Sequence, residues 1–237
     1  GGSNNAENSG TLKYVSIRHT GTAVSPGNEL QGLTMGGVGS GTVIENIELI
    51  GSEDDGIEIF GGAVNVTNIV IANFDDDGID LDQAYDGTIS NAVVIMAPGS
   101  DTVFEIDGTE EPNNAIVGEY TIKNVTAYGR SDAAKFDTFG NWKSDATGFN
   151  ENVLFVDFPA STTLGGIDSD TYDGAGTAPI EGKLNFKDFI VVTSDSKATV
   201  VGGQVDEASA TWISVSTTRP SSKGADESVF GWTQFFN

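Results

Sequence analysis

Short apolar segments with strand-like alternation recur along the chain, each built around an asparagine. Val43-Ile44-Glu45-Asn46-Ile47-Glu48-Leu49-Ile50 is echoed by Val66-Thr67-Asn68-Ile69-Val70-Ile71, Ile89-Ser90-Asn91-Ala92-Val93-Val94 and Ile122-Lys123-Asn124-Val125-Thr126-Ala127. Glu151-Asn152-Val153-Leu154-Phe155-Val156 continues the series, and Lys187-Asp188-Phe189-Ile190-Val191 puts Asp188 in the asparagine position. The asparagines are 22, 23, 33 and 28 residues apart from Asn46 to Asn152. A second motif keeps step. Asp55-Gly56-Ile57-Glu58-Ile59 returns 22 residues later as Asp77-Gly78-Ile79-Asp80-Leu81-Asp82. Gly32-Leu33-Thr34-Met35 reads as the turn before, and Val103-Phe104-Glu105-Ile106-Asp107 and Ala134-Lys135-Phe136-Asp137 as the two after.

Two strands per period, in register while the linking loops vary, predict a solenoid with insertions. The segments are short, rich in Val and Ile, and alternate in polarity, which favours strand over helix. A period of about 22 residues leaves no room for strand, helix and two loops, and propeller blades need about 40. The expected fold is therefore all-β: a right-handed parallel β-helix of about seven coils, roughly 35 Å tall at the usual strand spacing. The asparagine column has a structural reason, because Asn tolerates the left-handed backbone region and its amide both donates and accepts along the stack.

Residues 1–237 read as a single β-helix domain. Solenoid ends expose unpaired edges and need covers. The aromatic stretch Val229-Phe230-Gly231-Trp232-Thr233-Gln234-Phe235-Phe236 makes 204–237 the expected C-terminal cap. The N-terminus has no equivalent, so further coils are expected upstream.

Composition narrows the partners. With 35 acids against 11 bases the formal charge is −24, which argues against nucleic acid and anionic membrane. No apolar run approaches a membrane span, so insertion is not expected. There is no cysteine, which excludes disulfides and thiolate zinc sites.

The repeat, with Asn28-Glu29-Leu30-Gln31-Gly32-Leu33-Thr34-Met35-Gly36-Gly37-Val38-Gly39-Ser40-Gly41-Thr42, Asp54-Asp55-Gly56-Ile57-Glu58-Ile59-Phe60-Gly61-Gly62 and Phe230-Gly231-Trp232-Thr233, resembles the pectate-lyase-like right-handed parallel β-helix superfamily. It is most similar within it to secreted β-helix proteins of the Bacteroidetes. The resemblance implies an extracellular or cell-surface location and carries no settled activity.

Strand alternation gives the motif residues directions. If Ile57, Ile59, Ile79, Leu81, Phe104, Ile106 and Phe136 point inward, then Glu58, Asp80, Glu105 and Lys135 point outward one above another. Asp82, Asp107 and Asp137 form a second outward column, and the preceding turn adds Asp54, Asp55, Asp75, Asp76, Asp77 and Asp101. Like charges opposite one another across strands are destabilising. Relief must come from solvent, protonation, Lys135 or a bound cation, and Ca²⁺ favours oxygen ligands of this kind. The candidate metal ligands are Asp54, Asp55, Glu58, Asp75, Asp76, Asp77, Asp80, Asp82, Glu105 and Asp107, with Ca²⁺ as the candidate ion.

The favoured reading is a secreted scaffold or binding module, part of a larger surface assembly, that presents loops to glycan or surface protein. Loops 108–119, 139–150 and 168–183 are the candidates, with Trp142, Tyr172 and Tyr120 as a stacking platform for sugar. The alternative is a calcium-dependent polysaccharide lyase or glycoside hydrolase acting on acidic polysaccharide. A lyase needs a basic residue, for which Lys135 and Arg130 are the local candidates. A hydrolase needs paired carboxylates, which are plentiful here. His19, the only histidine, reads as a surface residue away from the acidic wall.

Overall fold

The computed structural model describes residues 4–25, 29–109, 118–130, 136, 138–174 and 178–236. Eight parallel strands stack into one long sheet: β1 (Thr11–Thr20), β3 (Val43–Ser52), β5 (Asn65–Ala72), β7 (Thr88–Ile95), β9 (Tyr120–Tyr128), β11 (Gly148–Val156), β12 (Leu184–Val192) and β13 (Ile213–Ser216). Five four-residue strands form the second sheet: β2 (Leu33–Gly36), β4 (Ile57–Phe60), β6 (Ile79–Asp82), β8 (Phe104–Asp107) and β10 (Gly140–Lys143). The chain alternates between the sheets and each strand pairs with its counterpart one coil on. That is a parallel β-helix. Among the described residues no helix is long and apolar enough to cross a membrane.

The core is a pair of facing stacks. Ile47, Ile69, Ala92, Val125, Val153 and Phe189 are register partners down the long sheet, and all are buried. Ile57, Ile79 and Phe104 stack in the short sheet and join the same core. Each such aliphatic side chain contributes about 1.5–3 kcal/mol by leaving water. The Asp-Gly turns into β4 and β6 pack directly on this core. A Cβ on Gly56 would overlap Ile71 Cγ2, and one on Gly78 would come within 2.8 Å of Val94 Cγ1.

The asparagine column forms as the sequence predicts. Asn46, Asn68, Asn91, Asn124, Asn152 and Asp188 all have φ between 54° and 59°. Asn68 Nδ2 donates to Asn46 Oδ1 (3.1 Å), Asn91 Nδ2 to Asn68 Oδ1 (2.7 Å) and Asn152 Nδ2 to Asn124 Oδ1 (2.8 Å). On the first coil, Tyr14 takes this position at φ 55°.

The C-terminal region departs from the expected cap. Helix α1 (Lys197–Val201) is N-capped by Ser196, and together with the segment after it sends Val200, Val201, Ala210 and Trp212 into the last-coil end of the core. Residues 217–236 do not cover that end. They turn back along the side of the column, over the outward residues Ile190, Leu154, Thr126, Val93, Val70 and Glu48, which are register partners. Lys223 Nζ contacts Asp188 Oδ2 (2.9 Å), Gly224 N donates to Asn152 Oδ1 (3.0 Å), Ala225 N to Thr126 Oγ1 (2.9 Å) and Asp226 N to Asn91 Oδ1 (2.7 Å). Phe230 is buried against Val70 and Val93. Gln234 N reaches Glu48 Oε1 (2.6 Å), and Trp232 meets the Tyr14 ring edge-on. The physical reason is an apolar outward column: Val70 and Val93 are completely buried on the outside of the sheet and need a cover.

The fourth rung of the short sheet also differs from expectation. The strand beside β8 is Gly140-Asn141-Trp142-Lys143, with Asn141 opposite Glu105 and Lys143 opposite Asp107. Phe136 does join the core, but not in a strand. Lys135 and Asp137 lie outside the described residues.

Candidate metal centre

The short sheet builds the acidic site. Glu58 faces Asp80 across β4 and β6, and Asp80 faces Glu105 across β6 and β8. All three alternate with inward Ile, Leu or Phe, so the pleat directs them away from the core. Glu58 and Asp80 are nevertheless only 7% exposed. The wall is outward-facing yet covered, so bulk water does not screen it.

The turn before each strand contributes a second tier. Asp55 Oδ1 accepts from Asp77 N (3.0 Å), and Asp77 Oδ1 accepts from Thr102 N (2.8 Å) and from the Thr102 hydroxyl. Asp55 and Asp77 thus tie each coil's turn to the next. Asp54 is bound by Gln31 Nε2 (3.0 Å), while Asp75, Asp76 and Asp101 are exposed at the rim.

Three carboxylates converge. One oxygen each from Asp55, Glu58 and Asp80 lies within 4.8 Å of the others, and all three residues are buried. Glu58 Oε2 and Asp80 Oδ1 are buried without a hydrogen-bond partner. Burial first, then Asp55, Asp82, Asp54 and Glu105, pushes the Glu58 carboxyl up to about 8. Burial likewise raises Asp55 and Asp80, with neighbouring acids adding to it. An isolated buried carboxylate costs several kcal/mol unless it is protonated or meets a cation. Oxygens within 4.8 Å of one another can all lie about 2.4 Å from a common centre, the distance at which Ca²⁺ is bound by carboxylates. The donor set is all oxygen and fits that ion. Asp54, Asp55 and Asp76, and separately Asp76, Asp77 and Asp101, converge in the same way nearer the surface.

The match to the family model of the pectate-lyase-like β-helix domain runs over residues 1–236. The chain belongs to the pectate-lyase-like β-helix family. No curated protein and no solved structure matches it.

In this β-helix domain the predicted ligands divide into two groups. Asp54, Asp55, Glu58, Asp76, Asp77 and Asp80 enter converging sets, whereas Asp75 and Asp82 enter none. Glu105 and Asp107 instead face Lys143, whose Nζ lies 2.5 Å from Glu105 Oε1 and 3.2 Å from Asp107 Oδ2. Burial alone would raise Glu105, but hydrogen bonds from Lys143 and Asp77 hold it below the usual carboxylate range. Asp77, raised by burial, carries the proton it shares with Glu105. The expected role of Lys135 as the base beside Glu105 therefore belongs to Lys143. Opposite charge at register partners was the available signal.

The sugar platform is not built. Trp142 is 1% exposed and packs on Phe104 and Phe186 inside the solenoid. Tyr120 is buried, with its hydroxyl accepting from Asn150 Nδ2 (2.9 Å). The Tyr172 hydroxyl accepts from Trp212 Nε1 (2.8 Å) and its ring meets Phe186. All three aromatics pack the last coils together. Loop 139–150 is correspondingly two strands and their connection rather than a free loop, and parts of 108–119 and 168–183 lie outside the described residues. Arg130 is exposed in the segment after β9.

Proposed function

We propose that this β-helix domain is an extracellular scaffold module that holds a Ca²⁺ ion between Asp55, Glu58 and Asp80 and uses its acidic face to meet an acidic glycan through that cation. The observation that carries the reading is the pair of buried, unpartnered oxygens on Glu58 and Asp80, facing each other in a site made only of oxygen donors. A cation supplies the charge that the sequence does not place there. It would also let a face of this sign approach a uronate, which the bare carboxylates repel. The rigid stack of coils fixes the ligands on strands rather than on loops, which suits a preorganised site. Surface location and membership of a larger assembly are part of the same proposal.

Calorimetric titration with Ca²⁺ tests it. Binding is expected for the native chain, with proton release, and is expected to fall at least tenfold in Glu58→Gln and Asp80→Asn. Absence of binding at millimolar Ca²⁺, together with a melting temperature unchanged by chelator, would overturn it.

A second reading rests on the opposite displacement of Asp80 and Glu105, which are register partners. A raised acid beside a lowered carboxylate is how glycoside hydrolases divide their roles. New reducing ends from an acidic polysaccharide, lost in Asp80→Asn, would select it. A lyase is less well supported, because Glu105 and Asp107 hold Lys143 protonated against its desolvation and make it a poor base.

A further inference from the structure

Solenoids are quasi-one-dimensional: each coil touches only its neighbours, so the end coils open at little cost and fray independently of each other. Residues 217–236 break that rule. They contact β12, β11, β9, β7, β5, β3 and β1 in reverse chain order, across sequence separations of 35 to 216 residues. We propose that this segment is a lengthwise brace that couples the two ends of the β-helix, so that the first coils and the last coils open as one unit.

Three features distinguish a brace from a tail resting on a surface. Its near end is held by an ion pair, Lys223 with Asp188, and by reciprocal hydrogen bonds in which Gly224 N donates to Asn152 Oδ1 and Asn152 Nδ2 donates to Gly224 O. Gly224 has φ 83°, and a Cβ there would overlap Thr126 Oγ1 and come within 3.0 Å of Leu154 Cβ, so the chain lies flush against the sheet. Its middle is anchored by Phe230, buried in its own apolar pocket apart from the main core. Its far end reaches Glu48, which is 1% exposed and accepts from Gln234 N, Ser16 Oγ and Arg18 Nη2. A buried carboxylate with three donors holds its partners far more firmly than an exposed pair does. The first strand, β1, is itself mostly exposed, so this far anchor matters most there.

Amide hydrogen exchange on the full chain tests the coupling. Phe230 touches β5 and β7 but neither β1 nor β12. Phe230→Ala is expected to speed exchange about tenfold in β1, β12 and β13 as well as in β5 and β7, a change equivalent to 1.4 kcal/mol of opening free energy. If Phe230→Ala fails to fold, Phe230→Leu gives the same pattern at smaller amplitude. Exchange confined to β5 and β7, with the end strands unchanged, would overturn the proposal and leave Phe230 as a local packing residue. Trp232→Ala, at the far end, is expected to raise exchange in β1 most. No change in β1 there would also overturn it.

Discussion

Glu58 and Asp80 face each other on neighbouring strands of the short sheet, and each keeps one buried oxygen without a hydrogen-bond partner. Two such groups cannot both ionise there unaided. The fold therefore makes proton and cation compete for one place.

That competition fixes a pH dependence. Glu58 is raised to about 8, and Asp55 and Asp80 are raised as well, so the folded metal-free chain binds protons that the unfolded chain has released. The stability these groups contribute is fully present below about pH 4, the unfolded value, and is lost as pH rises through the folded values. Thermal unfolding in chelator is expected to show a melting temperature that declines from pH 5 to pH 9. Millimolar Ca²⁺ should flatten that decline, with the largest rescue at the alkaline end.

Lys143 gives the opposite sign. Glu105 is held low by Lys143 and Asp77, so its contribution is present above about pH 4.5 and disappears as pH falls through its folded value. Lys143→Met is expected to cost about 1–3 kcal/mol at pH 7, between the values for exposed and buried pairs, and little at pH 3. Denaturant titrations at the two pH values provide the comparison.

Asn68 tests the ladder. Asn68→Ala removes two side-chain hydrogen bonds worth about 1 kcal/mol each and forces alanine into the left-handed region at a cost of about 1–2 kcal/mol. A loss of about 3–4 kcal/mol is expected. Asn68→Gly loses the same bonds without the backbone strain and should be milder. Equal losses in the two variants would remove the conformational share of the argument.

Glu48 sets the acid limit of the C-terminal brace. Burial would raise it, but Ser16, Gln234 N and Arg18 outweigh that and leave it below its ordinary value. Its contribution is therefore present above about pH 4.5 and lost as the medium is acidified through its folded value. Exchange at pH 3 should find β1 opening before the central coils, and Glu48→Gln should show the same opening at pH 7.

Much of this was readable from the chain, and the exceptions have physical causes. The asparagines and the Asp-Gly turns located the long strands and the short strands up to β8, because both motifs serve backbone needs that every coil shares. The fourth short strand was misplaced. Ile57 and Ile79 each follow their asparagine by 11 residues, and the same offset after Asn124 lands on Lys135. The turn there is longer, and Gly140 begins the strand 16 residues on. That error carried Trp142 to a loop and hid Lys143. The brace had a visible sign that went unread: Ile69-Val70-Ile71 and Ala92-Val93-Val94 have no polar alternate, so both faces of those strands had to be covered. Burial of Glu58 and Asp80 was not legible, since alternation tells which way a side chain points and not what lies over it.

Because the brace runs back to the first coil, residues 232–236 finish beside β1, and residues 4–10 lie against 39–43 in the second coil. Both extremities of the described chain thus leave the column at one end. A surface, tag or neighbouring domain joined through either of them would hold the solenoid upright, with α1 and the aromatic cluster around Trp212 at the tip remote from the attachment.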